Sequence, residues 1–418
     1  MFKTLRNAWS MPELRSKLIY TFWMMAFIRI GAHIPAPGIN PDAISQMMSS
    51  GSNSLLDLMN VMTGGAFSTM AIFAFGVGPY ITSSIIIQLL TIAITRLEEL
   101  SKEGEDGKKR ISKYTRYLTL AIALLQGGAT TLMLYNAEIL IEQSSGVFAL
   151  TLISFVSGSM LVMWIGEQIT EKGVGNGTSL IIFINIVASL PQTMMGILAY
   201  GDYLKAGLLI LALIVMIGFA VLMSLGERRI AVQYAKRMSG RKVYGGQTQH
   251  IPIKVNLAGV LPVIFSMSLI QFPEIVTSLF VRNPSEGWLT VIENLRWTTP
   301  IGGTIYLVLI FAFAFFYSTI AFNPMDIAAN MKKSGGFIPG IRPGKPTSDY
   351  LAKIATHITL TGAIFLAILA ITPLLFTAIF DMQVAFAGTS LLIVVGVALE
   401  TVKQLESQML MRQYKGFL

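Results

Sequence analysis

Long apolar runs recur along the 418-residue chain, separated by polar or cationic breaks. Many approach the roughly 20 residues that a helix needs to cross the hydrocarbon core of a bilayer. The pattern predicts ten spanning helices, at residues 18–33, 68–94, 118–135, 148–166, 178–198, 204–225, 255–279, 303–322, 354–380 and 384–402. Charges within them are few and lie near their ends, as the cost of about 2.5–3.5 kcal/mol for a charge at mid-helix requires. The first run follows basic residues, but Arg29 and His33 interrupt it, and Pro35-Ala36-Pro37 follows with no small-residue cleavage site. It reads as a retained span rather than a signal peptide.

Composition agrees with that pattern. Hydrophobic residues make up 53% of the chain and charged ones 13%, against about 25% charge in a soluble domain. Much of this surface therefore faces something other than water. The net charge of +9 would point to nucleic acid in a soluble protein. Its distribution points to membrane topology instead. With the N-terminus placed inside, every Lys and Arg except Arg29, Lys205, Arg282 and Arg296 falls in inside segments. A miscounted span would scramble that alternation, so ten spans with both termini cytoplasmic is the expected topology.

Three inside loops are longer than a connection needs. Residues 96–116 mix acids and bases, residues 227–254 carry three basic pairs, and residues 323–353 hold Lys332-Lys333 and a Pro/Gly turn from Pro339 to Lys345. Such loops serve as topology signals, as contacts for anionic lipids, or as a docking surface for a partner. The outside loop at 34–67 is apolar yet interrupted by Asp57 and Gly64-Gly65, and too short to span. It fits either an interfacial helix or a re-entrant segment, and the latter implies a cavity.

Reactive chemistry is sparse. Cysteine is absent and the three histidines, His33, His250 and His357, are far apart in sequence, which excludes disulfides and thiolate chemistry and disfavours a metal site. The glycines around Gly340–Lys345 are too closely spaced for a phosphate loop, and Pro346 replaces its Ser or Thr, so a rigid turn presenting Arg342 is the better reading. Gly173-Val174-Gly175-Asn176-Gly177 reads as a helix-breaking loop, with no preceding strand to make it a nucleotide motif. Span centres lack the buried carboxylates that ion-coupled carriers keep; Glu274, beside Pro273, lies toward the outer end of its span.

The run from Ala71 through Gly76-Val77-Gly78-Pro79-Tyr80 to Leu90 resembles the SecY/Sec61 protein-conducting channel family, in its bacterial form. The resemblance continues at Lys102-Glu103-Gly104-Glu105, Tyr114-Thr115-Arg116-Tyr117, Gly175-Asn176-Gly177 and Arg228-Arg229-Ile230. It also takes in Tyr234-Ala235-Lys236-Arg237, Asn323-Pro324, Lys332-Lys333-Ser334-Gly335, the Pro339–Gly344 turn and the stretch from Gly388 to Val395. These blocks run in order over nearly the whole chain.

The resemblance implies an all-α membrane protein whose ten helices form a clamshell of two inverted halves, 1–200 and 201–418, around an hourglass pore. It implies a pore ring of Val77, Ile81, Ile182, Ile264 and Ile393 with Thr178 beside them. An aliphatic ring offers ions no hydrogen bonds and can gate by dewetting. A plug at about 55–67 would comprise Leu55, Leu56, Leu58, Met59, Met62 and Phe67, with Gly64 and Gly65 as its hinge. A lateral gate would lie between the spans of Thr82 and Gln126 and those of Gln271 and Ile310.

The basic loops at 227–254 and 323–353 would dock partners through Arg228, Arg229, Lys236, Arg237, Arg241, Lys242, Arg342 and Lys345, since guanidinium pairs bidentately with phosphate or carboxylate. Implied partners are the SecE and SecG subunits, the SecA motor, the ribosome with its nascent polypeptide and signal sequence, and anionic lipids. No cofactor, metal or direct nucleotide site is implied. The expected function is a non-enzymatic channel in the bacterial inner membrane that translocates unfolded secretory polypeptides and inserts membrane proteins. A secondary transporter of a small solute is the alternative. Val77 and Thr178 depart from the isoleucines of some relatives, and Glu274 stands where no acid is expected.

Overall fold

A computed structural model describes residues 2–40, 43–44, 60, 63–199, 203–234, 237–239, 242–244, 248–257, 259–280, 285–296, 299–380 and 389–415. Fourteen helices follow in chain order among them: α1 Phe2–Ser10, α2 Pro12–Gly31, α3 Gly78–Ala93, α4 Thr95–Lys102, α5 Glu105–Asn136, α6 Ser145–Lys172 and α7 Gly177–Ala199, then α8 Tyr203–Leu225, α9 Leu261–Phe280, α10 Glu286–Leu295, α11 Pro300–Ala321, α12 Pro324–Lys333, α13 Lys345–Phe380 and α14 Thr389–Lys415. Each of the ten expected apolar segments overlaps one of these helices. Five helices among the described residues are long and apolar enough to cross a membrane, or six if the bent pair α3–α4 counts as one.

Local chemistry sets the helix ends. Ser144 caps α6 by accepting from the Gly146 N–H, and Thr299 caps α11 from the Gly302 N–H, with Pro300 at the first turn. Asn323 accepts from the Met325 N–H and Pro324 opens α12 in the same way. These caps satisfy N–H groups that the helix itself leaves free, and proline at the first turn loses no bond. The glycine loop after α6 does break the chain. Gly175 takes φ +86°, and the Asn176 side chain accepts from the Ser179 N–H to start α7.

The chain divides into two compact units. Unit 1 is Met1–Leu208 with Gln271–Ile292 and Phe376–Leu418; unit 2 is Leu209–Ile270 with Glu293–Leu375. In unit 1, α5 packs on α6 where Gly127 leaves room, since a Cβ there would sit 3.1 Å from a Leu152 methyl. The α6 and α7 helices meet at Gly166 and Gly177, whose approach is so close that a Cβ on Gly177 would overlap the Gly166 carbonyl. Small residues at helix crossings allow such contact, and dispersion then holds them together where lipid supplies no hydrophobic drive.

Unit 2 contains the part of the fold that the apolar pattern did not predict. Residues 227–254, expected as a loop, form strands β1 Glu227–Tyr234, β2 Arg237–Ser239, β3 Lys242–Tyr244 and β4 Thr248–Lys254. β1 pairs antiparallel with β4, with Ile230 opposite Ile251, and with the short strand β5 Gly336–Phe337 on its other edge. Ile230, Val232 and Ile253 point inward onto Met331, Ile338 and Leu351. Alternating apolar residues with one face buried define a strand, so the two long basic loops fold together into one small sheet-and-helix layer.

Candidate functional site

The expected span at 68–94 is helical only from Gly78. Residues 64–77 instead form a chain of tight turns buried in unit 1, with Ala66, Phe67, Met70, Ala71 and Phe75 all in the core. Unpaired backbone in a membrane interior costs several kcal/mol per group, and here it is paired. The Gly65 N–H donates to the Asn60 carbonyl, the Ser68 N–H to the Asn60 side chain, and the Phe67 N–H to the Thr63 hydroxyl. The Ala74, Gly76 and Gly78 N–H groups each donate three residues back, at 2.9–3.0 Å.

The segment is also held from outside. The Ala36 N–H donates to the Met70 carbonyl and the Ile72 N–H to the Ile34 carbonyl, both at 2.9 Å. Phe75 meets Phe155 of α6 edge to face, with ring centroids 5.2 Å apart. Two glycines make room for it. A Cβ on Gly31 of α2 would overlap the Phe73 ring, and one on Gly158 of α6 would overlap the Ile72 carbonyl. Of the two readings left open for the outer loop, its described C-terminal part is therefore a segment folded into the protein.

This segment delivers the first pore-ring candidate. Val77 is buried at the N-cap of α3, and its carbonyl accepts from the Ile81 N–H at 3.0 Å. In unit 1, Ile182 lies buried on α7 and Ile393 buried on α14, two helices that pack together, while Ile81 is half-buried. Thr178 has its hydroxyl beside Gly166, at the contact of α6 with α7. Ile264 belongs to unit 2 and is half-buried on α9. Of the gate candidates, Thr82 bonds its own Gly78 carbonyl at 3.2 Å, Gln126 is half-buried on α5, and Ile310 is fully buried in unit 2. The side chains of Gln271 and Glu274 lie outside the described residues, as do the plug candidates Leu55, Leu56, Leu58, Met59 and Met62.

The docking candidates divide similarly. Lys236 and Arg241 lie outside the described residues, whereas Arg237 and Lys242 sit on the β2–β3 hairpin. Arg228 and Arg229 are exposed on β1, where Arg229 pairs with Glu227 at 2.7 Å. Arg342 and Lys345 are exposed on a turn set by Gly340 and Gly344, at φ +82° and +105°. The Thr347 hydroxyl donates to the Arg342 carbonyl at 2.8 Å and fixes the turn. The result is a cationic surface on a rigid base, suited to polyanionic or carboxylate-bearing partners.

Two residues that the apolar pattern passed over meet the same segment. Arg29 donates from Nη1 to the Gly64 carbonyl at 3.0 Å, and Asn185 of α7 is buried against the same glycine. Both are polar groups inside apolar spans, a signal that marks function in membrane proteins. Among the described residues, no group of His, Asp or Glu is placed to hold a metal ion.

A family model described as SecY matches residues 71–402. The protein translocase subunit SecY of Streptomyces coelicolor is 43% identical over 438 residues, covering 100% of both chains. That of Mycobacterium tuberculosis is 42% identical over 434 residues, covering 97% of each. Among solved structures, a protein-conducting channel aligns with a TM-score of 0.64 at 17% identity, over 94% of this chain and 92% of that one. Sec61 in the canine ribosome-channel complex aligns with a TM-score of 0.62 at 15% identity, again over 94% and 92%. These structures share the fold.

Proposed function

The chain belongs to the SecY family, and on that premise we propose that it is the pore subunit of a protein translocase, passing unfolded secretory polypeptides across the membrane and releasing apolar segments into it. The observation that carries this reading is the buried, neutral turn segment from Gly64 to Val77, with its backbone paired internally. A carrier keeps charged or polar ligands at mid-membrane; in this reading that depth instead holds the aliphatic side chains of Val77, Ile182 and Ile393, all three buried. Such side chains seal against ions and yield to a polypeptide without sequence preference.

In this reading ten spans form two inverted halves, 1–200 and 201–418, with both termini on the cytoplasmic face of the bacterial inner membrane. Val77, Ile81, Ile182, Ile264 and Ile393 line the constriction, with Thr178 at its edge. Residues 55–67 form the plug, and Thr82, Gln126, Gln271 and Ile310 flank the lateral gate. The chain acts without catalysis of its own. SecA or the ribosome docks on the cationic layer around Arg228, Arg229 and Arg342, while SecE and SecG complete the complex. Polar contacts at such a surface chiefly set specificity and association rate.

Reconstitution tests the class of function. Proteoliposomes carrying the chain with its partner subunits and motor should protect a radiolabelled secretory precursor from external protease. Uptake of small solutes with no protection of the precursor would refute the channel in favour of a carrier.

A further inference from the structure

We propose that α1 is an in-plane anchor that binds acidic phospholipid headgroups at the membrane surface from which α2 starts. The inference goes beyond the channel reading and does not depend on it, since it uses only the membrane-spanning character of the chain. α1 is 9 residues long, about 13 Å at 1.5 Å per residue, so it cannot cross a bilayer. Nor does it extend the first span. Met11 is extended at φ −92° and ψ +115°, and Pro12 then opens α2 as a separate helix. The helix thus breaks a few residues before the apolar run that begins at Leu18.

One face of α1 is taken by protein. Ala8 and Leu14 are fully buried and cluster with Val174 of the glycine loop and Leu405 of α14, with Met11, Leu18 and Met409 around them. The neighbouring face is open. Trp9 is 55% exposed although it is the largest apolar side chain of the helix. Arg6 is exposed one turn before it, and Arg15 is exposed near the start of α2. Through residue 17 the chain carries Lys3, Arg6, Arg15 and Lys17 against the single acid Glu13.

Continuity and charge select the occupant. On α2, Ile19, Trp23, Phe27 and Ile30 are exposed at helical spacing, the stripe of a span that faces lipid. Trp9 and Arg6 continue that surface into the headgroup layer, where an indole sits at the boundary of acyl chain and water and a cation meets phosphate. Four cations against one acid then favour an acidic leaflet, which attracts each basic residue near its surface. Because α1 is wedged against Val174 and Leu405, lipid bound there also fixes the glycine loop and the end of α14 relative to the membrane surface.

The chain has no cysteine, so a single substitution places one environment-sensitive fluorophore in the full-length chain with its partner subunits. In nanodiscs of phosphatidylcholine with phosphatidylglycerol, the label at Trp9→Cys should be quenched by brominated acyl chains and shielded from aqueous iodide. At Asn7→Cys, exposed and about 200° round the helix from Trp9, the label should stay open to iodide. Adding Arg6→Gln to the Trp9→Cys chain should raise the phosphatidylglycerol fraction needed for half of the signal about fivefold, the worth of one cation at an acidic surface. Arg6→Lys should leave that fraction near the parent value. Iodide quenching as strong at position 9 as at position 7 would place α1 in water and overturn the proposal. Shielding that appears only when a soluble protein is added would overturn it too, and assign the face to that partner. An equal response in discs without phosphatidylglycerol would overturn the acidic headgroup.

Discussion

Two regions of this chain depart from spanning helix, and they do so in opposite ways. The turn segment at 64–77 is buried and neutral, and pairs its backbone inside unit 1. The sheet layer built from 227–254 and 323–345 in unit 2 turns Arg228, Arg342 and Lys345 outward over an apolar base. In a membrane protein irregular backbone survives only where protein surrounds it or water reaches it. The first region takes the former course and the second the latter. The difference teaches where each task belongs: a seal requires neutrality and exact packing, whereas docking requires charge on a stable platform.

The contrast breaks if the tasks cannot be separated by substitution. The largest effect is expected at the platform. Arg342→Glu combined with Arg228→Glu should slow motor- or ribosome-driven translocation about tenfold or more, the loss expected when charged interface contacts are reversed. Resting ion conductance should stay at the parent level. A normal translocation rate in inverted membrane vesicles would leave these loops as topology signals only.

Next come the ring positions. Ile81→Asn and Ile264→Asn replace dewetting side chains with hydrogen-bonding amides, and should raise ion conductance several-fold while partner binding is unchanged. Unaltered conductance for both would remove them from the constriction. At Gly158 the expected effect is on stability. An alanine there would press on the Ile72 carbonyl, and overpacking of this kind costs about 1–3 kcal/mol. Thermal aggregation of the detergent-solubilised Gly158→Ala protein should begin several degrees lower; an unchanged midpoint would mean the segment is not wedged against α6.

The smallest effect sharpens the other side of the comparison. Thr347→Val removes the hydroxyl bond to the Arg342 carbonyl, worth about 1 kcal/mol. Partner affinity measured by titration should weaken only a few-fold, well short of the charge reversal. A loss equal to that of Arg342→Glu would show that turn geometry, not charge, carries the docking.

The apolar helices were legible in the sequence because period and length are local signals. Gly340 and Gly344 likewise announced a rigid turn, and Gly173–Gly177 a helix break. What escaped was tertiary. Ser68 to Val77 is as apolar as the helix that follows, so hydropathy could not tell a packed run of turns from a span; the turns form because Gly31 and Gly158 open space for Phe73 and the Ile72 carbonyl. The β1–β4 pair was missed for a different reason. Its apolar alternation, Ile230-Val232-Tyr234 against Ile251-Ile253, is short and embedded in basic residues, so charge dominated the reading. Arg29 read as a charge at the end of a span, and its partner Gly64 comes from 35 residues away.

The central claim is that a polypeptide passes through unit 1 beside the buried aliphatic positions. A photo-crosslinking side chain placed at Ile182 in the assembled translocase, with a secretory precursor stalled in transit, tests it most directly. The account predicts a strong adduct to the precursor at Ile182 and none at Leu222, an exposed apolar position on α8. Adducts to lipid alone at Ile182, or equal precursor adducts at both positions, would contradict it.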